Sequence, residues 1–409
     1  MDFEAQLRRE LADIRGRGLY RQLRRVESAS GARLRAAGRD LLNFSSNDYL
    51  GLSGHPRLRE AAWLAAEEFG AGAGASRLIC GSLAPHHELE EALAAFKGVE
   101  AALSFSSGYT AALGALGALL GPRDIVILDR LAHACLVDAA RLCGAQLRVF
   151  AHNEPADLEK KLAWAARQPA AGERPRRVLV VVESLYSMDG DYAPLPEIVE
   201  LKDRYGAWLL VDEAHATGLR GRGGRGLIDE QGLAGRVEIQ MGTLGKALGS
   251  AGGFIAGSRA LVDLLVNRAR SFIFSTASAP AAAAAAQTAV GLAQSPEGDR
   301  LRERLWRNVE HLEKGLAALG KAPARAARPS PILPLVLGAE AAAVKAAEKL
   351  LARGILIPAI RYPAVARGRA RLRVTVSAAH EPGEVARLLD ALKELGNDLP
   401  DQRAEPPET

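Results

Sequence analysis

The sequence predicts an α/β fold with a mainly parallel sheet, and three observations carry that prediction. Apolar, β-branched runs recur between residues 123 and 212, with helix-forming stretches between them. The runs are continuous rather than alternating, as expected for strands covered by helices on both faces. Several end in acidic or glycine-rich turns, where ligands of such sheets gather.

Taken in order, strands are expected at Arg123–Asp129, Gln146–Phe150, Arg177–Glu183 and Ala207–Asp212. Helices fit at Glu88–Phe96, Leu131–Leu142, Pro155–Ala166 and Leu195–Tyr205. The alanine-rich run Pro280–Leu292 forms a helix at the junction leaving the large lobe. From about Arg300 the pattern changes to a long helix, a strand within Ser330–Leu337, a helix, and strands at Ile355–Ile357 and Ala370–Val376. A helix around Glu384–Glu394 closes this smaller α+β lobe. The arginine-rich stretches Leu7–Glu10 and Tyr20–Arg25 read as two amphipathic helices with solvated charged faces. The expected organisation is residues 1–43 packed with the small lobe, a large domain over 44–292, a small domain over 293–396, and a frayed tail over 397–409.

A chain of 409 residues with 48% hydrophobic and 25% charged residues suits a globular enzyme of two lobes. No apolar run reaches membrane-spanning length, and the first twenty residues alternate charged and apolar types. These features predict no membrane partner and a cytoplasmic location. Cys80, Cys135 and Cys143 lack metal-ligand spacing and read as reduced thiols, with no metal expected. The net charge of +5 is mildly basic. Without zinc spacing or an aromatic-and-basic RNA motif it suggests anionic small-molecule substrates rather than nucleic acid.

The chemistry is concentrated at a few turns. Lys246 sits among glycines in Met241-Gly-Thr-Leu-Gly-Lys-Ala-Leu-Gly249, close to Thr243. Upstream, the run Trp208–Val211 ends in Asp212, with His215 three residues on. This combination is what pyridoxal 5'-phosphate (PLP) chemistry needs. A lysine holds the cofactor covalently, a hydroxyl binds its phosphate, and an aspartate keeps the pyridine nitrogen protonated. His215 can reach the ring's phenolic oxygen. Ser104-Phe-Ser-Ser-Gly-Tyr-Thr110 precedes a small-residue helix; Gly108 permits close backbone approach, and the helix start favours a phosphate. His133 follows a strand end, where its ring can stack on the pyridine. Ser187, in Glu183-Ser-Leu-Tyr-Ser-Met-Asp-Gly-Asp191, is a candidate donor to the cofactor's ring oxygen, with a plain polar loop around Gly190 as the alternative.

In this order the residues resemble the α-oxoamine synthases, a branch of the fold-type I PLP-dependent enzymes. The resemblance runs from about Leu41 to His380. It includes Asn43-Phe-Ser-Ser-Asn-Asp-Tyr-Leu-Gly-Leu52, Gly72-Ala-Gly-Ala-Ser-Arg-Leu-Ile-Cys-Gly81, His86-His-Glu-Leu-Glu90, Ser187–Asp191 and Thr243–Lys246. It implies a large lobe with a mainly parallel seven-stranded type of sheet and a smaller α+β C-terminal lobe. It implies Lys246, His133 and Asp212 as catalytic residues. Gly108, Tyr109, Ser187, His215 and Thr243 join them around the cofactor, Gly108 and Tyr109 through their backbone.

By the same resemblance Arg361 receives a substrate carboxylate, with Arg21, Asn47 and His133 near the substrate. Ser275 and Thr276 reach a neighbouring subunit's phosphate, so a homodimer with shared active sites is implied. The strings Phe150-Ala-His-Asn153, Ala359–Pro363 and Arg371–His380 favour L-alanine and a pimeloyl thioester of coenzyme A or an acyl carrier protein, joined with loss of CO₂. Glycine with an acetyl donor is the alternative within the family. Amino transfer and a non-catalytic regulatory role are the alternatives outside it. Two positions depart from the family pattern. Ala112 stands where Asn is frequent, and Ala364, in the substrate loop after Arg361, stands where Thr is frequent.

Overall fold

The computed structural model describes residues 2–169, 174–321, 328–400 and 402. The chain divides into two compact units. One comprises Leu50–Ser187 and Asp191–Glu303, the other Met1–Tyr49, Met188–Gly190 and Arg304–Thr409.

The larger unit is built on a seven-stranded sheet. Its spatial order is Ala101–Phe105, Gly253–Gly257, Ile239–Thr243, Trp208–Asp212, Val178–Glu183, Ile125–Asp129 and Gln146–Phe150. All neighbours are parallel except Gly253–Gly257, which runs antiparallel to both strands beside it. The central strands feed two separate cores. Val126, Leu128, Val181, Leu210 and Met241 face one layer with the helix Gly108–Leu119. Ile127, Val180, Val182, Leu209 and Val211 face the other, with the helices Pro155–Ala166 and Leu195–Arg204. Both faces are apolar, so the sequence runs show no alternation. The edge strand Gln146–Phe150 is only partly covered.

Register fixes the working edge of this sheet. Glu183 pairs with Asp212, Asp212 with Met241, and Thr243 with Gly253. Asp129, Glu183, Asp212 and Thr243 therefore end four neighbouring parallel strands at their carboxyl side. That is where doubly wound sheets bind ligands.

The turn after Asp212 is anchored from below. Lys97 Nζ lies 2.5 Å from Glu213 Oε2, with side chains 1% and 0% exposed. Lys97 also donates to the Arg225 carbonyl, and Glu213 Oε1 accepts from the Ile228 amide at 3.0 Å. The Glu213 amide continues to the Met241 carbonyl at 2.8 Å.

In the smaller unit, Ala370–Thr375 lies between Ile332–Gly338 and Ala359–Ile360, antiparallel to both. The helices Glu340–Ala352 and Pro382–Leu395 belong to the same unit. A second small sheet joins the hairpin Arg33–Ala36 and Arg39–Asn43 to Ile355–Leu356. Ala37 and Gly38 both have positive φ, as a tight I′-type hairpin turn requires.

Some local expectations fail. Phe3–Gly16 is helical, but Tyr20–Arg25 is not; Gly18, at φ 66°, follows the end of the first helix, and the chain continues irregularly. The strands Ala101–Phe105 and Gly253–Gly257 escape a propensity-based reading because alanine and glycine are poor strand formers. Tertiary pairing makes them strands. Of the expected frayed tail 397–409, residues 401 and 403–409 lie outside the described residues. Among the described residues, no helix is long and apolar enough to cross a membrane.

Lys97→Met would leave the Glu213 charge buried without its partner. The expected cost is about 3–5 kcal/mol, read from urea denaturation. An unchanged midpoint would mean that the pair does not anchor the turn.

Candidate active site

Lys246 stands in the loop joining the strands Ile239–Thr243 and Gly253–Gly257. The loop closes on itself through Leu244 N to Gly252 O, Gly249 N to Lys246 O and Ser250 N to Leu244 O, each at 2.9 Å. Lys246 is half-buried, and its Nζ lies 2.9 Å from His215 Nε2. This approach depends on Gly218, at φ 88°. A Cβ there would stand 2.8 Å from Ala247 Cβ, against the residue after the lysine.

Asp212 is buried, and its Oδ1 accepts from the Ala214 amide at 2.8 Å. Burial raises its pKa, while the Lys246 charge pulls it back towards ionisation. His133 caps the helix Ala134–Leu142, with Nδ1 accepting from the Cys135 amide at 3.2 Å. Desolvation first, and then the Lys246 charge, lower the pKa of this solvent-facing imidazole, whereas Asp212 opposes the shift. A neutral ring follows at neutral pH. His133, Asp212 and Lys246 thus feel one another's charge within one group. Ser187, 7% exposed, opens the loop after Val178–Glu183.

The start of the helix Gly108–Leu119 meets Thr243. A Cβ on Gly108 would come within 2.6 Å of Thr243 Cγ2, so only glycine allows this approach. Ser107 and Thr110 cap the helix reciprocally, at 3.1 and 3.0 Å. The first amides of a helix have no intrahelical acceptor and favour an anion. Thr243 Oγ1 is buried and has no hydrogen-bond partner among the described residues. An unsatisfied hydroxyl beside a glycine-opened helix start suits a phosphate ester, and a buried carboxylate near a lysine suits a pyridine aldehyde. The residues present therefore fit PLP.

Tyr109 contributes its backbone to this helix start, while its side chain projects to solvent and its hydroxyl donates to Asp138 Oδ2 at 2.7 Å. Ser275 and Thr276 line a mixed recess with Arg77, Ser104, Ser271 and the rings of Phe105 and Phe272. In the smaller unit, Arg21 donates to the Tyr362 carbonyl at 2.9 Å. Arg361 donates to the carbonyls of Gly18 and Tyr20. Ala364 is exposed in the same turn, its amide bonded to the Arg361 carbonyl at 3.0 Å. Asn47 Oδ1 accepts from Arg373 and Tyr49, at 3.0 and 3.1 Å. Ala112 is fully buried in the apolar core layer, so its side chain is a packing element rather than a gap in a polar helix start.

Glu183 is the residue the sequence reading passed over. It is 2% exposed, pairs in register with Asp212, and accepts from the His133 amide at 2.6 Å. Burial, and then the adjacent Asp212 charge, drive its pKa well above the ordinary carboxylate value. An acid ending an apolar run was the available signal, the same one that marked Asp212.

This sheet and this group of residues define a fold-type I PLP-dependent transferase. Residues 39–392 match the family model described as aminotransferase class I and II. The 8-amino-7-oxononanoate synthase of Geobacter sulfurreducens is 44% identical over 390 residues, covering 95% of this chain and 97% of that protein. That of Anaeromyxobacter dehalogenans is 49% identical over 391 residues, covering 96% and 95%. Among solved structures, a serine palmitoyltransferase from S. paucimobilis with a bound PLP–myriocin aldimine superposes with a TM-score of 0.90. It is 31% identical and covers 98% of this chain and 99% of its own. The 8-amino-7-oxononanoate synthase from Francisella tularensis shares the fold, with a TM-score of 0.74 and 24% identity, covering 88% and 98%. The chain belongs to the class I and II aminotransferase family, in the α-oxoamine synthase branch that holds the 8-amino-7-oxononanoate synthases.

Glu183→Gln should keep the acceptor for the His133 amide and remove a carboxyl that resists ionisation. A raised carboxyl pKa contributes stability at low pH that is lost as pH rises through the folded-state value. The variant's melting temperature should therefore gain on the wild type as pH rises above about 4.5. A variant that loses ground over that range would show Glu183 to be stably ionised.

Proposed function

We propose that the protein joins L-alanine to a pimeloyl thioester, of coenzyme A or an acyl carrier protein, giving 8-amino-7-oxononanoate, CO₂ and the free thiol. The observation that carries this reading is the group of Lys246, His215 and Asp212 beside the Gly108–Thr243 phosphate cradle, in a chain so close to the synthases along nearly its whole length. PLP, when bound, supplies an electron sink for negative charge at the substrate's Cα.

The chain's own residues do the rest. Lys246 Nζ would anchor the coenzyme and, as a base, would take and later return the proton at the substrate's Cα. Asp212 would hold the pyridine nitrogen protonated. His215 Nε2, 2.9 Å from Nζ, would orient the amine and, with Ser187, would donate to the ring's phenolic oxygen. His133 would pack against the ring, and Thr243 Oγ1 with the helix start at Gly108 and Tyr109 would bind the phosphate. Arg361, with Arg21, Asn47 and the turn at Ala364, receives the substrates. As the new carbon–carbon bond forms, the thiol leaves with the thioester's electron pair, and CO₂ departs from the alanine carboxylate.

Lys246→Ala should abolish turnover, a loss of more than about a thousandfold, and remove the visible absorbance of covalently held coenzyme. The assay offers alanine, glycine and serine with pimeloyl, acetyl and longer acyl thioesters, and identifies products by mass spectrometry. A sole product from glycine and acetyl-CoA would overturn the alanine reading. Amino transfer to a keto acid without CO₂ release would overturn condensation altogether.

The active form is a homodimer in this reading, with Ser275 and Thr276 serving the neighbouring subunit's phosphate site. Thr276 bridges to Ser76, and Leu78, Ile79 and Phe274 near these segments are 50%, 79% and 70% exposed. Large apolar side chains exposed this far support a protein interface. Its mildly basic charge suits anionic thioesters, and the free thiols of Cys80, Cys135 and Cys143 suit a reducing cytoplasm. Phe274→Asp should shift the protein to monomer by analytical ultracentrifugation and lower its activity at least about tenfold. A fully active monomer would exclude shared sites.

A further inference from the structure

The turns that carry His133 and Ser187 are tied together by a third, the segment Phe150-Ala-His-Asn153. His152 Nδ1 lies 2.8 Å from Asp129 Oδ1, and its Nε2 lies 2.7 Å from Asp191 Oδ2. Asp129 is fully buried at the end of the strand leading towards His133. Its Oδ1 also accepts from the Leu131 amide at 2.8 Å, its Oδ2 from the Asn153 amide at 3.0 Å, and its carbonyl from the Ala132 amide at 3.1 Å. Asp191 closes the loop that begins at Ser187. Its carbonyl accepts from the Tyr186 amide at 2.9 Å, and its Oδ2 accepts from Asn153 Nδ2 at 2.9 Å.

The segment is built for this task. Asn153 adopts φ 53°, a left-handed conformation that asparagine tolerates better than most residues. In that conformation its amide meets Asp129 while its side chain meets Asp191. The His152 ring packs edge-on against Tyr186, the residue before Ser187, with centroids 4.4 Å apart. Because each ring nitrogen faces a carboxylate, both donate. Burial opposes the charge, but the hydrogen bonds to Asp129 and Asp191 outweigh it and raise the pKa to about 10.

We propose that the Asp129–His152–Asp191 bridge is a positioning device that fixes the His133 and Ser187 turns relative to each other, and so sets the state of the bound coenzyme ring. It rests on the functional reading above. His152 is the positioning residue, acting through two turns rather than on substrate.

The test uses the full chain loaded with PLP, as wild type, His152→Ala and Asp191→Asn. His152→Ala should shift the absorbance maximum of the bound coenzyme and weaken PLP affinity about tenfold, measured by titrating the apoenzyme and following tryptophan fluorescence. Its kcat should fall between about tenfold and a hundredfold, with the alanine KM within about twofold of wild type. Asp191→Asn keeps the side-chain volume and the Asp129 half of the bridge, so it should show the same changes at smaller size. Wild-type spectrum, affinity and kcat in His152→Ala, with only a lower melting temperature, would overturn the proposal. So would wild-type values in Asp191→Asn where His152→Ala cannot be purified. The functional reading fails separately, by wild type releasing no CO₂ from alanine and thioester. Spectrum and affinity then still decide the bridge.

Discussion

Three buried acids at the carboxyl ends of three adjacent parallel strands impose the constraint around which the larger unit is arranged. Asp129, Glu183 and Asp212 are each 4% exposed or less. A carboxylate removed from water must be hydrogen-bonded, paired or protonated. Each acid meets that demand differently. Asp129 gathers two amides and the His152 ring. Glu183, between the other two in the sheet, is driven towards its neutral form and accepts the His133 amide. Asp212 accepts from one amide; burial raises its pKa and the Lys246 charge opposes that rise. Different roles for similar acids follow from environment.

The same edge explains why small residues surround the lysine. A helix start, a strand end and the Lys246 loop must converge within a few ångströms. Side chains at Gly108 and Gly218 would collide with Thr243 and Ala247. Below this surface the Lys97–Glu213 pair holds the turn after Asp212, so that Asp212 and His215 stand on a rigid support.

The sequence made much of this legible, for identifiable reasons. Parallel strands with two covered faces leave short apolar runs, and three such runs and the edge strand Gln146–Phe150 were placed within a few residues. The lysine loop, Asp212 and His215 were visible because their types are uncommon in that order. The strands Ala101–Phe105, Ile239–Thr243 and Gly253–Gly257 were not placed, since their identity lies in pairing rather than propensity. His152 could be read only as part of a family string, because its partners lie 23 and 39 positions away. Glu183 was hidden by the attractive hydroxyl of Ser187, four residues on. Ala112, which departs from the family pattern, packs fully buried in the core layer.

A family model named for aminotransferases and relatives named as synthases are compatible because a fold does not fix a reaction. In the proposed reading the lysine, the aspartate and the phosphate cradle would hold the coenzyme that stabilises negative charge at Cα, a step common to both chemistries. Selection must come from groups that meet the second substrate, and in the proposed reading these are Arg21 and Arg361. Their guanidinium groups are already engaged. Arg361 donates to Gly18 and Tyr20, and Arg21 donates to the residue after Arg361. The segment 18–21 and the loop 361–364 are thereby clasped reciprocally, so a carboxylate arriving at either arginine competes with the backbone carbonyls that hold the other's segment. In the proposed reading, a carboxylate bound at one arginine would therefore loosen the hold on the segment that carries the other, which ties the two positions together before any substrate chemistry begins.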